Sequence, residues 1–155
     1  MLVQRHQSRV RAVLRRLTKG DDGLADDLAQ EAFLLAWRKL GTFRFDARFS
    51  TWLYRIAFNA WLSEVRRIRE VRLEDEEVPA SEASSPGDFH AIRLDLEQAI
   101  ATLPDGERAA IAACYYADLS HEEAARVLGI PLGTVKTHIL RGKIRLRAIL
   151  GEDYA

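Results

Sequence analysis

Residues 73–88 (Leu-Glu-Asp-Glu-Glu-Val-Pro-Ala-Ser-Glu-Ala-Ser-Ser-Pro-Gly-Asp) contain one Leu and one Val as their only large apolar side chains. Such a stretch buries too little apolar surface to offset the entropy of ordering it. It reads as a flexible acidic linker and divides the chain into residues 1–72 and 89–155. No segment shows convincing period-two alternation, whereas helical spacing of apolar residues dominates on both sides of the linker. The expected architecture is therefore all-α, with two small helical domains.

Val3 to Leu17 reads as a basic amphipathic helix with Val10, Val13, Leu14 and Leu17 apolar. Lys19-Gly20-Asp21-Asp22-Gly23 is a turn. Leu24 to Leu40 reads as a second helix with Gly41 in the place a C-terminal cap favours. Asp26, Asp27 and Glu31 stand in its first turns, where they suit the helix dipole. Ser50 or Thr51 can cap a third helix reaching about Val71. Beyond the linker, helices are expected over about 89–102, 105–117, 120–128 and 132–149, with a break at Leu103-Pro104.

Charge is balanced overall, 23 basic against 23 acidic residues, but its distribution is not even. Residues 1–72 hold fifteen Lys/Arg and eight Asp/Glu, residues 73–107 hold one Arg and ten acids, and 132–150 hold five bases and no acid. Two basic segments flanking an acidic one suit separate modules that touch one polyanion. No apolar run approaches a membrane span, and the Arg-rich N-terminus has no signal-peptide core, so a cytoplasmic location is expected. The single cysteine, Cys114, has apolar neighbours and reads as a buried small hydrophobe. Four histidines and one cysteine make no metal-ligand spacing, and no phosphate loop or nucleophile motif is present, so no enzyme activity, metal, cofactor or small-molecule substrate is expected.

The strongest local signal is residues 119–147. Ser120 and Glu123 have capping-box spacing. Ala124, Ala125 and Leu128 form a short apolar face, Gly129 suits a left-handed turn, and a second helix opens near Pro131–Thr134. Val135, Ile139, Leu140 and Ile144 are expected to face inward. This is the grammar of a helix–turn–helix, whose second helix reads the major groove with its first turns. Thr134, Lys136, Thr137 and His138 are the candidate base-reading positions, and Arg141, Lys143, Arg145 and Arg147 suit phosphates.

Leu103-Pro104 through Leu150 resembles region 4 of bacterial sigma factors. Asp26-Asp27-Leu28-Ala29-Gln30-Glu31-Ala32-Phe33 with Ala36-Trp37-Arg38 resembles region 2.2, and Phe49-Ser50-Thr51-Trp52-Leu53-Tyr54-Arg55-Ile56-Ala57-Phe58-Asn59 resembles regions 2.3 and 2.4. The chain is similar to the extracytoplasmic-function (ECF) sigma factors from about residue 5 to 150. It begins within what is usually the family's first helix. The resemblance implies a region 2 helical bundle over 1–72, the linker over 73–88, and a region 4 helix–turn–helix over 89–155. It also implies RNA polymerase core and promoter DNA as partners, and an anti-sigma protein as regulator.

Under that resemblance, Asp26, Asp27, Gln30 and Glu31 dock on the polymerase, with Phe33 and Trp37 partly buried beside them. Dipole compensation accounts for the acids without a partner, but not for Gln30. The 41–50 loop and third helix would take the −10 element through Arg55, Asn59, Arg66, Arg67 and Trp52. Most of the aromatics Phe43, Phe45, Phe49, Trp52 and Tyr54 are expected to be core. Region 4 would hold the −35 duplex through Thr134, Lys136, Thr137, His138, Arg141, Lys143 and Arg145. Many relatives carry Arg at the places of Phe58 and Ala60, Asp at that of Ser63, Arg at that of His138 and Ala at that of Gly142; the last two differences bear on −35 preference. When free, the two domains are expected to pack together and hide their DNA faces. The rival reading is a dimeric helix–turn–helix regulator acting without polymerase, which leaves the motifs of residues 26–59 unexplained.

Overall fold

Every regular element among the described residues of the computed structural model, 2–74 and 91–151, is helical. In helix α1 (Leu2–Leu17), Val10, Val13, Leu14 and Leu17 form a stripe spaced three and four residues apart, and all four are buried. Lys19 (φ 59°) and Gly20 (φ 83°) turn the chain through the left-handed region. Asp21 then caps α2 (Asp22–Lys39), its carboxylate accepting the Leu24 N–H at 3.0 Å. The buried face of α2 is mostly alanine (Ala25, Ala29, Ala32, Ala36), which lets α1 and α3 approach closely. Gly41 does not cap this helix in a left-handed turn. The helix instead tightens into a 3₁₀ turn over Leu40–Thr42, whose backbone remains right-handed at Leu40.

Helix α3 (Phe49–Glu74) starts before the expected cap and runs past Val71. It carries the front core: Leu53, Tyr54, Ile56, Ala57, Phe58, Ala60 and Trp61 are buried. Phe58 and Ala60 thus pack inward, which removes them from any surface that could touch a strand. Of the expected linker, Leu73 and Glu74 are the last turn of α3, and 75–88 lie outside the described residues, as do 89 and 90 of the following helix.

The back half begins with α4 (Ala91–Thr102), breaks at Leu103-Pro104, and resumes as α5 (Asp105–Ile111). The expected helix to residue 117 is not uniform: Ala112–Tyr116 widens into a π turn. Helix α6 (His121–Leu128) has a complete capping box, with Ser120 Oγ accepting the Glu123 N–H at 3.1 Å and Glu123 Oε1 accepting the Ser120 N–H at 3.2 Å. Gly129 (φ 67°) ends it in the left-handed turn that its sequence position suggested. Helix α7 (Leu132–Leu150) follows Pro131.

One continuous apolar cluster joins the halves, from Val10 on α1 through Leu53 and Trp61 on α3 to Ala113, Val127 and Ile139. Helix α6 lies on α3, and α1 meets α4, α5 and the π turn. Arg108 is the polar centre of this seam. It is 2 % exposed, and its guanidinium donates to the Leu17 carbonyl (3.1 Å), the Leu103 carbonyl (2.6 Å) and Asp105 Oδ1 (2.5 Å). Elsewhere between the halves, Thr51 Oγ1 donates to Glu123 Oε2 at 2.9 Å, and Arg16 lies 3.7 Å above the Tyr116 ring.

Candidate nucleic-acid interface

On α2, Asp26, Asp27, Gln30 and Glu31 are all exposed, and Phe33 is half-buried. Asp26 is held by Arg11 of α1 at 3.3 Å, while the side chains of Asp27, Gln30 and Glu31 make no hydrogen bond among the described residues. Trp37 differs from expectation: it is 77 % exposed, not partly buried, because it lies off the buried Ala25–Ala29–Ala32–Ala36 stripe, on the side of α2 that its neighbours leave open. Leu34, one turn before, is 54 % exposed and was not foreseen as part of this face. Gln7, Arg11, Asp27, Phe33 and Trp37 border an open groove of about 460 Å³ there. An apolar strip flanked by carboxylates suits a basic, partly apolar protein surface.

On α3, Trp52, Arg55, Asn59 and Arg66 recur at helical spacing along one side; the last three are exposed and Trp52 is half-buried. Arg67 sits one position off this stripe and is held by Glu64, with contacts of 3.1 and 2.6 Å. That hydrogen bond draws the Glu64 carboxyl below the usual range.

The preceding loop carries a stack of rings. Phe43 meets Phe45 at 4.6 Å, Trp52 at 5.2 Å and Phe49 at 5.7 Å, while His6 of α1 meets Phe49 at 5.5 Å. Burial, with help from Arg5 and Arg9, lowers the His6 pKa. Phe45 is 86 % exposed and has a left-handed backbone (φ 60°), a costly conformation for an aromatic residue. Of the five aromatics expected to be mostly core, only Tyr54 is buried. Phe43, Phe49 and Trp52 are half-buried, the last two against the core, and only Phe45 at the outer end of the stack is exposed.

On α7 the buried positions are Val135, Ile139 and Gly142, a stripe facing α5 and α6. Leu140 and Ile144 were expected inside but are 61 % and 57 % exposed. Each follows the buried stripe by one or two positions, and each residue turns the helix by about 100°. They stand between Lys136, Thr137, Arg141 and Lys143, all exposed. Thr134 is half-buried, and the Thr137 hydroxyl donates to the Gly133 carbonyl at 2.9 Å. Lys143 lies 5.2 Å from the Tyr115 ring centre.

Two nominated side chains turn towards α5. His138 is half-buried against Gly106. Arg145 binds buried Glu107, with Nε 3.0 Å from Oε2 and 3.3 Å from Oε1; hydrogen-bond geometry is met only at Oε1. Gly142 is likewise buried and offers nothing to a ligand directly.

The halves pack together as expected of the free chain, but the packing does not cover these side chains: Arg55, Asn59, Arg66, Lys136, Thr137 and Arg141 remain exposed. No group of His, Cys, Asp and Glu among the described residues is placed to hold a metal ion, and none of the described helices is long and apolar enough to cross a membrane. Cys114 is half-buried, and burial raises its thiol pKa.

An aromatic-rich helical front module joined to a helix–turn–helix defines a class also visible by comparison. The pattern described as Sigma-70 region 2 matches residues 2–71, and that described as Sigma-70, region 4 matches residues 93–146. The chain is 38% identical to the ECF RNA polymerase sigma factor SigW of Bacillus subtilis, over 83% of this chain and 76% of that protein. It is 37% identical to the ECF RNA polymerase sigma factor SigE of Mycolicibacterium smegmatis, over 97% of this chain but only 61% of SigE's length. Among solved structures, the sigma factor RpoE in complex with the anti-sigma factor NepR from Bartonella quintana superposes with a TM-score of 0.82 at 30% identity, covering 97% of this chain and 95% of RpoE. CnrH in complex with the cytosolic domain of CnrY gives 0.70 at 29% identity, over 98% and 86% of the two chains. The chain belongs to the ECF sigma factors.

Proposed function

We propose that this chain binds the core of RNA polymerase and directs it to promoters, without itself catalysing a reaction. Residues 1–72 grip the enzyme through Asp26, Asp27, Gln30, Glu31, Phe33, Trp37 and, added from the exposure of α2, Leu34. The same module takes the opened −10 strand. Arg55, Asn59 and Arg66 hold its backbone, and the rings around Trp52 offer stacking surfaces to unpaired bases. Residues 73–88 link the modules, and residues 89–155 place α7 in the −35 duplex. There Lys136 and Arg141 supply charge, and Leu140 offers an apolar surface to a thymine methyl. The chain works where the polymerase is, in the cytoplasm, and an anti-sigma protein is its proposed regulator. The structural relative RpoE is solved in a complex of that kind, with the anti-sigma factor NepR.

The aromatic stack, half-buried but open at Phe45, is the observation that favours this reading over a dimeric duplex-binding regulator, which has no use for an unpaired-base platform. Run-off transcription with purified core polymerase tests it. Promoter-dependent transcripts with the chain, and none with core alone, are expected. Tight duplex binding by the lone protein as a dimer, with no transcripts, would favour the regulator.

A further inference from the structure

Helix α7 crosses α5 too closely for a Cβ at two places. An ideal Cβ on Gly106 would lie 2.8 Å from both Cε1 and Nε2 of His138, and one on Gly142 would lie 2.5 Å from Cδ1 of Ile111. Neither glycine has a left-handed φ, so backbone freedom is not what either supplies; both supply room. The two contacts are reciprocal. The imidazole of α7 fills a notch on α5, and one turn further along α7 the buried Ile111 of α5 fills a notch on α7. The Glu107–Arg145 pair ties the same two helices beside the second notch.

His138 is poorly placed to read a base. It is half-buried, and its Nδ1 is buried without a hydrogen-bond partner among the described residues. Its neighbours Lys136, Thr137 and Arg141 are exposed. A buried nitrogen without a partner is unfavourable, so what holds the ring in place is packing in the notch. We infer that His138 is a positioning residue: seated on Gly106, and with Ile111 seated on Gly142, it sets the aim of α7 and so the registration of Lys136, Thr137 and Arg141 on the bases. The inference rests on the reading of α7 as the duplex-reading helix.

The test is a double-substitution cycle on the full chain with Gly106→Ala, His138→Ala and both together. Alanine is the better helix former at 106, so the effect of Gly106→Ala alone has two opposing parts. With His138 present, Gly106→Ala is expected to lower the melting temperature; with His138→Ala in place, the notch is empty and the same change is expected to raise it. An identical shift in both backgrounds overturns the contact.

The second readout is enrichment from a pool of short duplexes with a randomised central block. His138→Ala is expected to reduce the preference for the selected sequence by about three- to tenfold, spread across the site. A loss confined to one base pair would make His138 a base reader and overturn the positioning role. If the unsubstituted chain and its polymerase complex both enrich no sequence, the reading of α7 as a duplex reader fails, while the melting cycle still decides the notch.

Discussion

Arg108 is the largest of the fully buried side chains, and it is charged. Its position is tolerable because all three faces of the fork are met: a carboxylate at Asp105 and carbonyls at Leu103 and Leu17. The Leu17 carbonyl lies at the C-terminal end of α1, where the helix leaves acceptors unpaired, so the same bond satisfies both halves of the seam. Arg108→Ala is expected to destabilise the chain by about 3 kcal/mol, read from the urea midpoint, since removing one partner of a buried ionic network strands the others. Glu123 belongs to this scale too. The Ser120 N–H, and then the Thr51 hydroxyl, hold its carboxyl below the usual range. A carboxyl lowered in the folded state contributes stability above its unfolded pKa and loses it as pH falls through the folded one. Stability is therefore expected to drop below the ordinary carboxylate range. Thr51→Val should make that fall shallower, as seen in thermal melts across pH.

At the scale of elements, α6 and α2 show how local chemistry and surroundings divide the work. Capping box, left-handed Gly129 and short apolar face specify α6 from its own residues, so its limits were legible before any fold was known. The start of α2 has a similar local signal in Asp21, whereas the signal at its end, Gly41, is overridden by the 3₁₀ turn. Trp37 and Leu34 look like core residues in a sequence and are surface because they stand off the buried alanine stripe of α2, on its uncovered side. Trp37→Ala with Leu34→Ala is expected to change folding stability by less than about 0.5 kcal/mol each, as at other exposed sites. The same pair should sharply weaken co-elution with core polymerase. A large loss of stability instead would mean that this face packs inside the chain. Helix α7 illustrates the same error. Its apolar residues outnumber its buried positions, and only the crossing with α5 selects Val135, Ile139 and Gly142 over Leu140 and Ile144.

At the scale of the molecule, the halves share one core while the proposed strand-binding and duplex-reading side chains stay in solvent. Packing of this kind fixes the spacing of the two proposed DNA faces and leaves the side chains of each exposed. Binding of a duplex by α7 should then follow counterion release. Lys136→Ala and Arg141→Ala are each expected to reduce the slope of log affinity against log salt by about 1, measured by fluorescence anisotropy. Arg145→Ala should change that slope less and stability more, because Glu107 already holds its charge.

The amino-acid sequence alone determined what depends on neighbours a few residues away: seven helical segments, the turn of the helix–turn–helix, the basic character of α7, and the motifs of α2 and α3. Tertiary structure decided which of those residues are free to act. Arg108 reaches a carbonyl 91 positions away and Arg145 a carboxylate 38 away. His138 meets Gly106 only because α7 crosses α5, and no periodicity of either segment encodes that crossing. Side-chain exposure is a property of packed surfaces, so the aromatic stack and the outward turn of Leu140 emerge only when the helices are assembled.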